Sequence, residues 1–331
     1  MKKICICGGG NLGLVCAGVL ASRDYEINIL TGHPDSWSRD IRVFDPDGKE
    51  FTGAPELITS DPQKAVASVD MVLLCLPGYL IEQTLKQIKP FISHSCIVGA
   101  IVASTGFFFF AHDLLPGQPI FGFQRVPYIC RTIEYGRCGR LLGYKKSLSV
   151  AAENIPDVVG FIDELEQMFE TPVSLLDTFY EAALTNSNPI LHTSRLFSMW
   201  GGEVKPIPHQ SKFYSEWTDR DSKLMIEMDS EFQTLLRALN VREGAVPTLL
   251  DYYESTDAVS LTRKIRSIEA FKPILTPMIE TPDGWLPDYH SRYFTEDFPF
   301  GLRFIKELAD KKNIPVPRIT EVLSWGLSKR N

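Results

Sequence analysis

The sequence has no excess of positive charge: 34 lysines and arginines stand against 41 acids in 331 residues, a formal net charge of −7. A sequence-independent grip on nucleic acid needs a basic face, so nucleic acid is excluded as a partner and small molecules are favoured. There is no unbroken apolar run of membrane length. The best uncharged stretch, Cys96 to Ala111, is cut by Ser104, Thr105 and Gly106, where a spanning helix needs about 20 continuous apolar residues. No cysteine follows Cys138, and the seven present form no Cys-x-x-Cys pair. An odd set of thiols lying mostly in apolar runs reads as reduced core residues, with no metal site and a cytoplasmic setting. Internal repeats and low-complexity tracts are lacking too, and 44% hydrophobic residues over this length suffice for two cores.

What is present begins at once. Lys3 to Cys7 is a short apolar strand, Gly8-x-Gly10-x-x-Gly13 follows, and Leu12, Val15, Cys16 and Val19 recur at helical spacing. Strand, glycine turn and helix in that order form a dinucleotide fingerprint. Gly8 permits the turn, Gly10 lets a pyrophosphate approach, and Gly13 lets the helix lie on the strand, with Asn11 and Leu12 completing the cofactor-binding turn. The same glycines exclude a secretory signal, although Lys2 and Lys3 precede an apolar run ending at Ala21-Ser22.

A second strand, Tyr25 to Leu30, ends at Thr31-Gly32-His33, and no acid stands there to meet a ribose 2′-hydroxyl. Asp35 comes later, after Pro34, and Arg39 and Arg42 lie close enough in sequence to meet a 2′-phosphate. This favours NADP, with NAD as the alternative, and gives Thr31 and Arg39 to the cofactor site. Asp45-Pro46-Asp47-Gly48 predicts a peripheral hairpin turn. Asp70 to Leu76 and Ser95 to Val102 read as parallel strands, which places Leu76, Pro77 and Ser104 at the carboxyl edge where ligands bind. Residues 121–151 form β-rich runs separated by Gly136, Gly139 and Gly143, expected to extend the sheet antiparallel. Past Asp177 the composition turns helical. The expectation is a doubly wound α/β dinucleotide-binding domain, 1–176, followed by a helical substrate domain, 177–331.

Hydride transfer also requires a proton donor and an anion clamp. Two stretches in the helical half supply candidates. Asn188 can cap, and Pro189 open, a helix carrying His192 on its first turn, while Arg292 and Asp297 stand five apart in Ser291 to Gly301. With Gly8, Gly10 and Gly13, the Arg125-Val126-Pro127…Arg131 stretch, Gly143 and Lys145, Asn188-Pro189…His192 and Arg292-Tyr293…Glu296-Asp297-x-Pro299-x-Gly301, the chain resembles the NAD(P)-dependent opine dehydrogenases, the octopine/nopaline dehydrogenase family, over its whole length.

The resemblance implies a Rossmann-type domain followed by an all-helical one, with the active site in the interdomain cleft. It also implies an oxidoreductase acting on CH-NH donors, which condenses an amino acid with a 2-oxo acid reductively. In that reaction His192 suits proton delivery, Asp297 orients its ring, and Arg292 binds a carboxylate. A second carboxylate needs a second clamp. Arg195, one turn beyond His192, is the expected one, with Asn188 beside it. Thr193, Ser194 and Arg195 depart from the family pattern, in which proline often follows the histidine. The resemblance allows a homodimer.

Two rivals share the architecture: reductases of the ketopantoate and glycerol-3-phosphate dehydrogenase types, which use a lysine in the helical region. No lysine occurs from Thr178 to Gly202, and a histidine stands there instead. A non-catalytic NADP(H) sensor is a further alternative, opposed by the retention of His192, Arg292 and Asp297.

Overall fold

A computed structural model describes residues 2–329. The chain forms two compact units, which divide between Ala183 and Leu184. In the first unit the elements run β1 (Lys3–Cys7), α1 (Asn11–Ala21), β2 (Glu26–Leu30), β3 (Ile41–Phe44), β4 (Glu50–Gly53), β5 (Leu57–Thr59), α2 (Pro62–Ala65) and β6 (Met71–Leu74). They continue through α3 (Gly78–Ile88), β7 (Ile97–Ile101), α4 (Phe107–Leu114), β8 (Ile120–Phe123), β9 (Tyr128–Glu134) and β10 (Cys138–Tyr144). The last are β11 (Leu148–Glu153), α5 (Val158–Phe169), β12 (Val173–Leu175) and α6 (Phe179–Ala183).

Eight strands make the main sheet in the order β12-β11-β8-β7-β6-β1-β2-β5. It is parallel from β5 to β8 and turns antiparallel between β8 and β11. Strand order reverses at β1, which lies between β2 and β6, so the turns after β1 and β6 share the edge where doubly wound folds take their ligands. The runs that form these strands are apolar without alternation because both faces are covered: Ile4, Ile6, Met71 and Leu73 are wholly buried, as are Cys5 and Val72.

The glycine-rich run 136–143 does not simply extend that sheet. β9 and β10 join β3 and β4 in a separate four-stranded sheet, order β4-β3-β10-β9, in which β10 runs parallel to β3. The exposed turn at Asp45 to Gly48 joins β3 to β4: Asp45 Oδ1 accepts the N–H groups of Asp47 and Lys49, and Gly48 has φ +86°. The second sheet packs on α1, whose other side meets β1 and β2. This explains a helix without a polar face, since Leu14, Val15, Cys16, Val19 and Leu20 all lie between sheets.

The second unit contains α7 (Asn188–Trp200), α8 (Asp219–Ala238), α9 (Leu249–Tyr252) and α10 (Ala258–Ser267). A hairpin of β13 (Met278–Thr281) and β14 (Gly284–Pro287) follows. It is closed by Pro282 and Asp283, with Gly284 at φ +124°, turn chemistry that the helical composition around it conceals. The chain then forms a π-helix, Tyr293–Leu302, which passes directly into α11 (Arg303–Lys311) and on to α12 (Pro317–Ser328). Phe294, Phe298, Met225, Met228, Leu302 and Val322 build the core of this unit. No helix among the described residues is long and apolar enough to cross a membrane.

Candidate active site

The nucleotide turn depends on two contacts that only glycine allows. A Cβ on Gly13 would stand 2.0 Å from the Gly8 carbonyl oxygen, so α1 can begin directly against β1 only if position 13 is bare. Gly8 has φ +114° and faces the Cys75 carbonyl, where a Cβ would come within 2.6 Å. Gly10, by contrast, opens onto free space, with nothing within 4 Å of where a Cβ would be, and the first turn of α1 carries no acid. An exposed glycine ahead of unopposed helix N–H groups suits a pyrophosphate, so the residues present fit a dinucleotide.

Around this turn Leu12 is half-buried, while the Asn11 side chain accepts the Thr132 N–H at 2.8 Å and ties the start of α1 to β9. Leu76 and Pro77 follow β6, with Leu76 Cδ2 set against Gly8 and Pro77 capping α3. Ser104 lies in a 3₁₀ turn after β7. Thr31 is buried, and its hydroxyl meets that of Tyr135 at 3.2 Å. Trp37 packs edge-on against Tyr135, and both stand over Gly9. Nothing in the sequence brought Trp37 and Tyr135 to the cofactor turn, because their approach depends on the second sheet. Arg39 and Arg42 are exposed and make no ion pair among the described residues.

The second constellation assembles where α7 meets the π-helix. Asn188 is the first residue of α7 rather than its cap; its N–H is accepted by the Asn186 side chain, and Pro189 follows in the first turn. His192 therefore lies on the second turn, 8% exposed. Its Nδ1 stands 2.8 Å from Asp297 Oδ2, and its Nε2 stands 2.8 Å from the Tyr214 hydroxyl. Asp297 comes from the π-helix, a rare wide-turn conformation that often marks functional positions. Pro299, which has no N–H to donate, sits inside that segment.

Tyr293 opens the same segment and packs edge-on against the imidazole, with ring centroids 4.4 Å apart. Burial pushes the Tyr214 hydroxyl far above its usual range, and the neighbouring Tyr293, Tyr253 and Asp297 add to the rise. Burial raises Tyr293 too, as does Asp297, while Tyr214 opposes them. Both phenols stay protonated. Tyr214 carried no sequence signal beyond the aromatic run Phe213, Tyr214 and Trp217, since the segment between α7 and α8 has no periodicity.

Arg292 stands just ahead of the π-helix, exposed and without an ion pair among the described residues. Its guanidinium is available to a carboxylate. Arg195 is not. It is 4% exposed, ion-paired to Asp221, hydrogen-bonded to the Glu216 carbonyl at 2.9 Å and laid over Trp217. Asp221 is itself fixed by the Thr218 capping box of α8. The expected second clamp thus projects from the face that carries His192 but is consumed in anchoring α7 to α8. Thr193 and Ser194, the other departures from the family pattern, are buried and return their hydroxyls to the Pro189 and Leu191 carbonyls. No cluster of metal ligands occurs among the described residues.

Residues 175–329, which hold this whole constellation, match the family model described as NAD/NADP octopine/nopaline dehydrogenase, alpha-helical domain. The helical half of the chain is thus similar to the opine dehydrogenases in sequence. The nucleotide unit matches the ketopantoate reductase PanE/ApbA model over residues 4–103. Relatives of known activity span nearly the full chain. Octopine dehydrogenase of Pecten maximus is 27% identical over 99% of this chain and 90% of its own length. Tauropine dehydrogenase of Arabella iricolor is 26% identical over 98% and 91%. The structure of octopine dehydrogenase with NADH and L-arginine superposes with a TM-score of 0.88 at 26% identity, covering 100% of this chain and 90% of that one.

Proposed function

We propose that this protein is an NAD(P)H-dependent opine dehydrogenase that joins the amine of an amino acid to the carbonyl carbon of a 2-oxo acid and reduces the resulting imine. The observation that carries this reading is the buried His192–Asp297 pair, Nδ1 to Oδ2 at 2.8 Å, formed by the two motifs most specific to the family. The nicotinamide supplies the hydride when bound at Gly8, Gly10 and Gly13. His192, oriented by Asp297, supplies the proton that lets the carbinolamine lose water, and Arg292 holds a carboxylate of the oxo acid. Arg39 and Arg42, with no acid at Thr31-Gly32-His33, support NADPH as the preferred cofactor. The free thiols fit a reducing, cytoplasmic setting. A ketopantoate-type reduction is less well supported, because the ketopantoate reductase family model matches only residues 4–103 and α7 presents a histidine rather than a lysine.

The deciding experiment is NADPH oxidation over a matrix of amino acids and 2-oxo acids, with products identified by mass. Oxidation requiring both substrates, and a product equal to their sum less one oxygen, is expected. Equal oxidation with an oxo acid alone, giving the 2-hydroxy acid, would reassign the enzyme to simple oxo-acid reduction.

A further inference from the structure

The nucleotide turn holds a glycine where its motif requires none. Gly9 is a variable position of Gly8-x-Gly10-x-x-Gly13, yet a Cβ there would stand 2.6 Å from the Tyr135 hydroxyl, 3.0 Å from Thr31 Oγ1 and 3.0 Å from Trp37 Cζ2. Three side chains from separate segments thus converge on the turn. They do so at the carboxyl end of β2, where dinucleotide folds read the adenosine ribose.

The backbone puts Tyr135 there. It occupies the turn between β9 and β10, and the next residue, Gly136, has φ +70° and lies against the loop after β2, where a Cβ would come within 2.5 Å of the Ser36 carbonyl oxygen and 2.8 Å of Trp37 Cα. The Gly136 carbonyl accepts the Ser38 N–H and the Arg137 carbonyl accepts the Arg42 N–H, each at 2.9 Å. The tip of the second sheet is thereby clamped to that loop. Trp37 then packs edge-on against Tyr135, with ring centroids 5.8 Å apart.

Two of these groups have a hydrogen to give. Tyr135 Oη meets Thr31 Oγ1 at 3.2 Å, and Thr31 Oγ1 also accepts the His33 N–H at 3.4 Å. With Thr31 donating to the phenol oxygen, the phenol hydrogen is left for a ligand. The Trp37 indole N–H is buried without an acceptor among the described residues, an uncommon state for a polar atom in a native fold. Its nitrogen is bonded to the same ring carbon as the Cζ2 atom that lies over Gly9.

We propose that Tyr135 and Trp37 are cofactor-specificity residues: the phenol and the indole N–H donate to the substituent on the 2′ carbon of the adenosine ribose, in the place where an NAD-preferring fold presents an acid. A carboxylate can only accept and repels a phosphate, whereas two donors bind a phosphate more strongly than a hydroxyl, because a charged acceptor strengthens each bond. The preference for a 2′-phosphate is thus set by the second sheet as well as by Arg39 and Arg42. The inference rests on the dinucleotide reading of the glycine turn and is independent of the amine and the oxo acid.

Equilibrium binding tests it without turnover. Tyr135→Phe keeps the ring against Trp37 and loses the hydroxyl. The expected result is an unchanged melting temperature, with the dissociation constant raised about 10- to 100-fold for NADPH, as for a lost hydrogen bond to a charged group, and about 2- to 5-fold for NADH, as for a neutral one. Adenosine 2′,5′-bisphosphate and 5′-AMP, which differ only in the 2′-phosphate, should reproduce the difference and so locate it at the adenosine end. Trp37→Phe loses the N–H and keeps an aromatic ring beside Tyr135. It should move the same ratio in the same direction, and it carries the test if Tyr135→Phe does not fold.

NADPH weakened no more than NADH in both variants would overturn the inference, since a purely structural role weakens the two alike. If the wild type binds none of the four nucleotides, the dinucleotide reading fails and the inference falls with it. If it binds them and shows the shift in ratio yet is inactive on every amine and oxo-acid pair, the inference stands and only the opine reading fails.

Discussion

Gly301 seats the ring of Pro189: a Cβ at position 301 would stand 2.5 Å from Pro189 Cγ and 2.8 Å from its Cβ. The contact locks the start of α7 against the end of the π-helix. Nine positions separate Arg292 from Gly301 and three separate Pro189 from His192, so this one close approach sets the distance between the two motifs. The stretches that identify the family are thus joined by packing as well as by chemistry.

Gly301→Ala should therefore act on both stability and turnover. Overpacking of this kind costs about 1–3 kcal/mol, and the displaced helices should loosen the His192–Asp297 bond. Thermal melts and kcat measured together test this, and a variant with wild-type values for both would show that the contact relaxes without consequence.

Arg195→Ala should behave as a folding variant. The guanidinium and the Asp221 carboxylate are 5% and 1% exposed as side chains, and removing one partner of a buried pair costs about 3–5 kcal/mol. A lowered melting temperature is expected, with the Michaelis constants for both substrates near the wild-type values wherever the variant is folded. A selective rise for the amino acid at unchanged stability would restore Arg195 to the substrate.

Much of this was legible in the residues. The glycine turn and the parallel strands follow from local spacing, and the pairing of His192 with Asp297 was implied by the resemblance to the opine dehydrogenases. Other features were not, because they depend on contacts between segments far apart in sequence. The partner of Arg195 lies 26 residues along the chain, and helical spacing alone showed the face it shares with His192 but not what stands opposite. Residues 121–151 carry strand signals, yet whether β9 and β10 join the main sheet or β3 is decided by what covers α1. Tyr214 lies in a segment without periodicity, and only the folded α7 brings it to Nε2.

His192→Ala should leave NADPH binding intact and reduce kcat by roughly 10² to 10⁴, the usual worth of a positioned acid or base. Asp297→Asn should retain a bond at Nδ1 while withdrawing the charge that stabilises imidazolium, and so give a smaller loss. Steady-state kinetics and cofactor titration separate the two effects. Near-normal turnover in His192→Ala would leave the residue a purely structural part of α7.

NADPH should bind more tightly than NADH. Arg39 and Arg42 are exposed, free of ion pairs among the described residues and close in sequence to the end of β2, where no acid stands. The double variant Arg39→Ala with Arg42→Ala should weaken NADPH and leave NADH nearly unchanged, and the effect should shrink as salt is added. Equal affinities for the two cofactors in the wild type would refute the preference.

The stability of the helical unit should fall as pH rises through the titration of Asp229. Burial raises the pKa of this carboxyl above its usual value; the Leu249 N–H and the Gln233 side chain oppose the rise, and Asp251 adds to it. A raised value in the folded state means that the folded protein holds this proton more tightly than the unfolded chain does. Below the unfolded value both states are protonated and no penalty exists. Between the unfolded and folded values the unfolded chain releases its proton first, so stability declines with pH, and above the folded value the penalty is complete. Asp229→Asn removes the charge and keeps an oxygen that can accept the Leu249 N–H, a bond of 2.9 Å in the native protein. The variant should melt higher than the wild type at pH 7, at about 2–4 °C for each kcal/mol recovered, and the gap should narrow as the pH is lowered toward 4. Melting curves for both proteins from pH 4 to pH 7 test this. A variant that melts lower at pH 7 would show that the ionised carboxylate's bonds to Leu249 and Gln233 outweigh the cost of burying its charge.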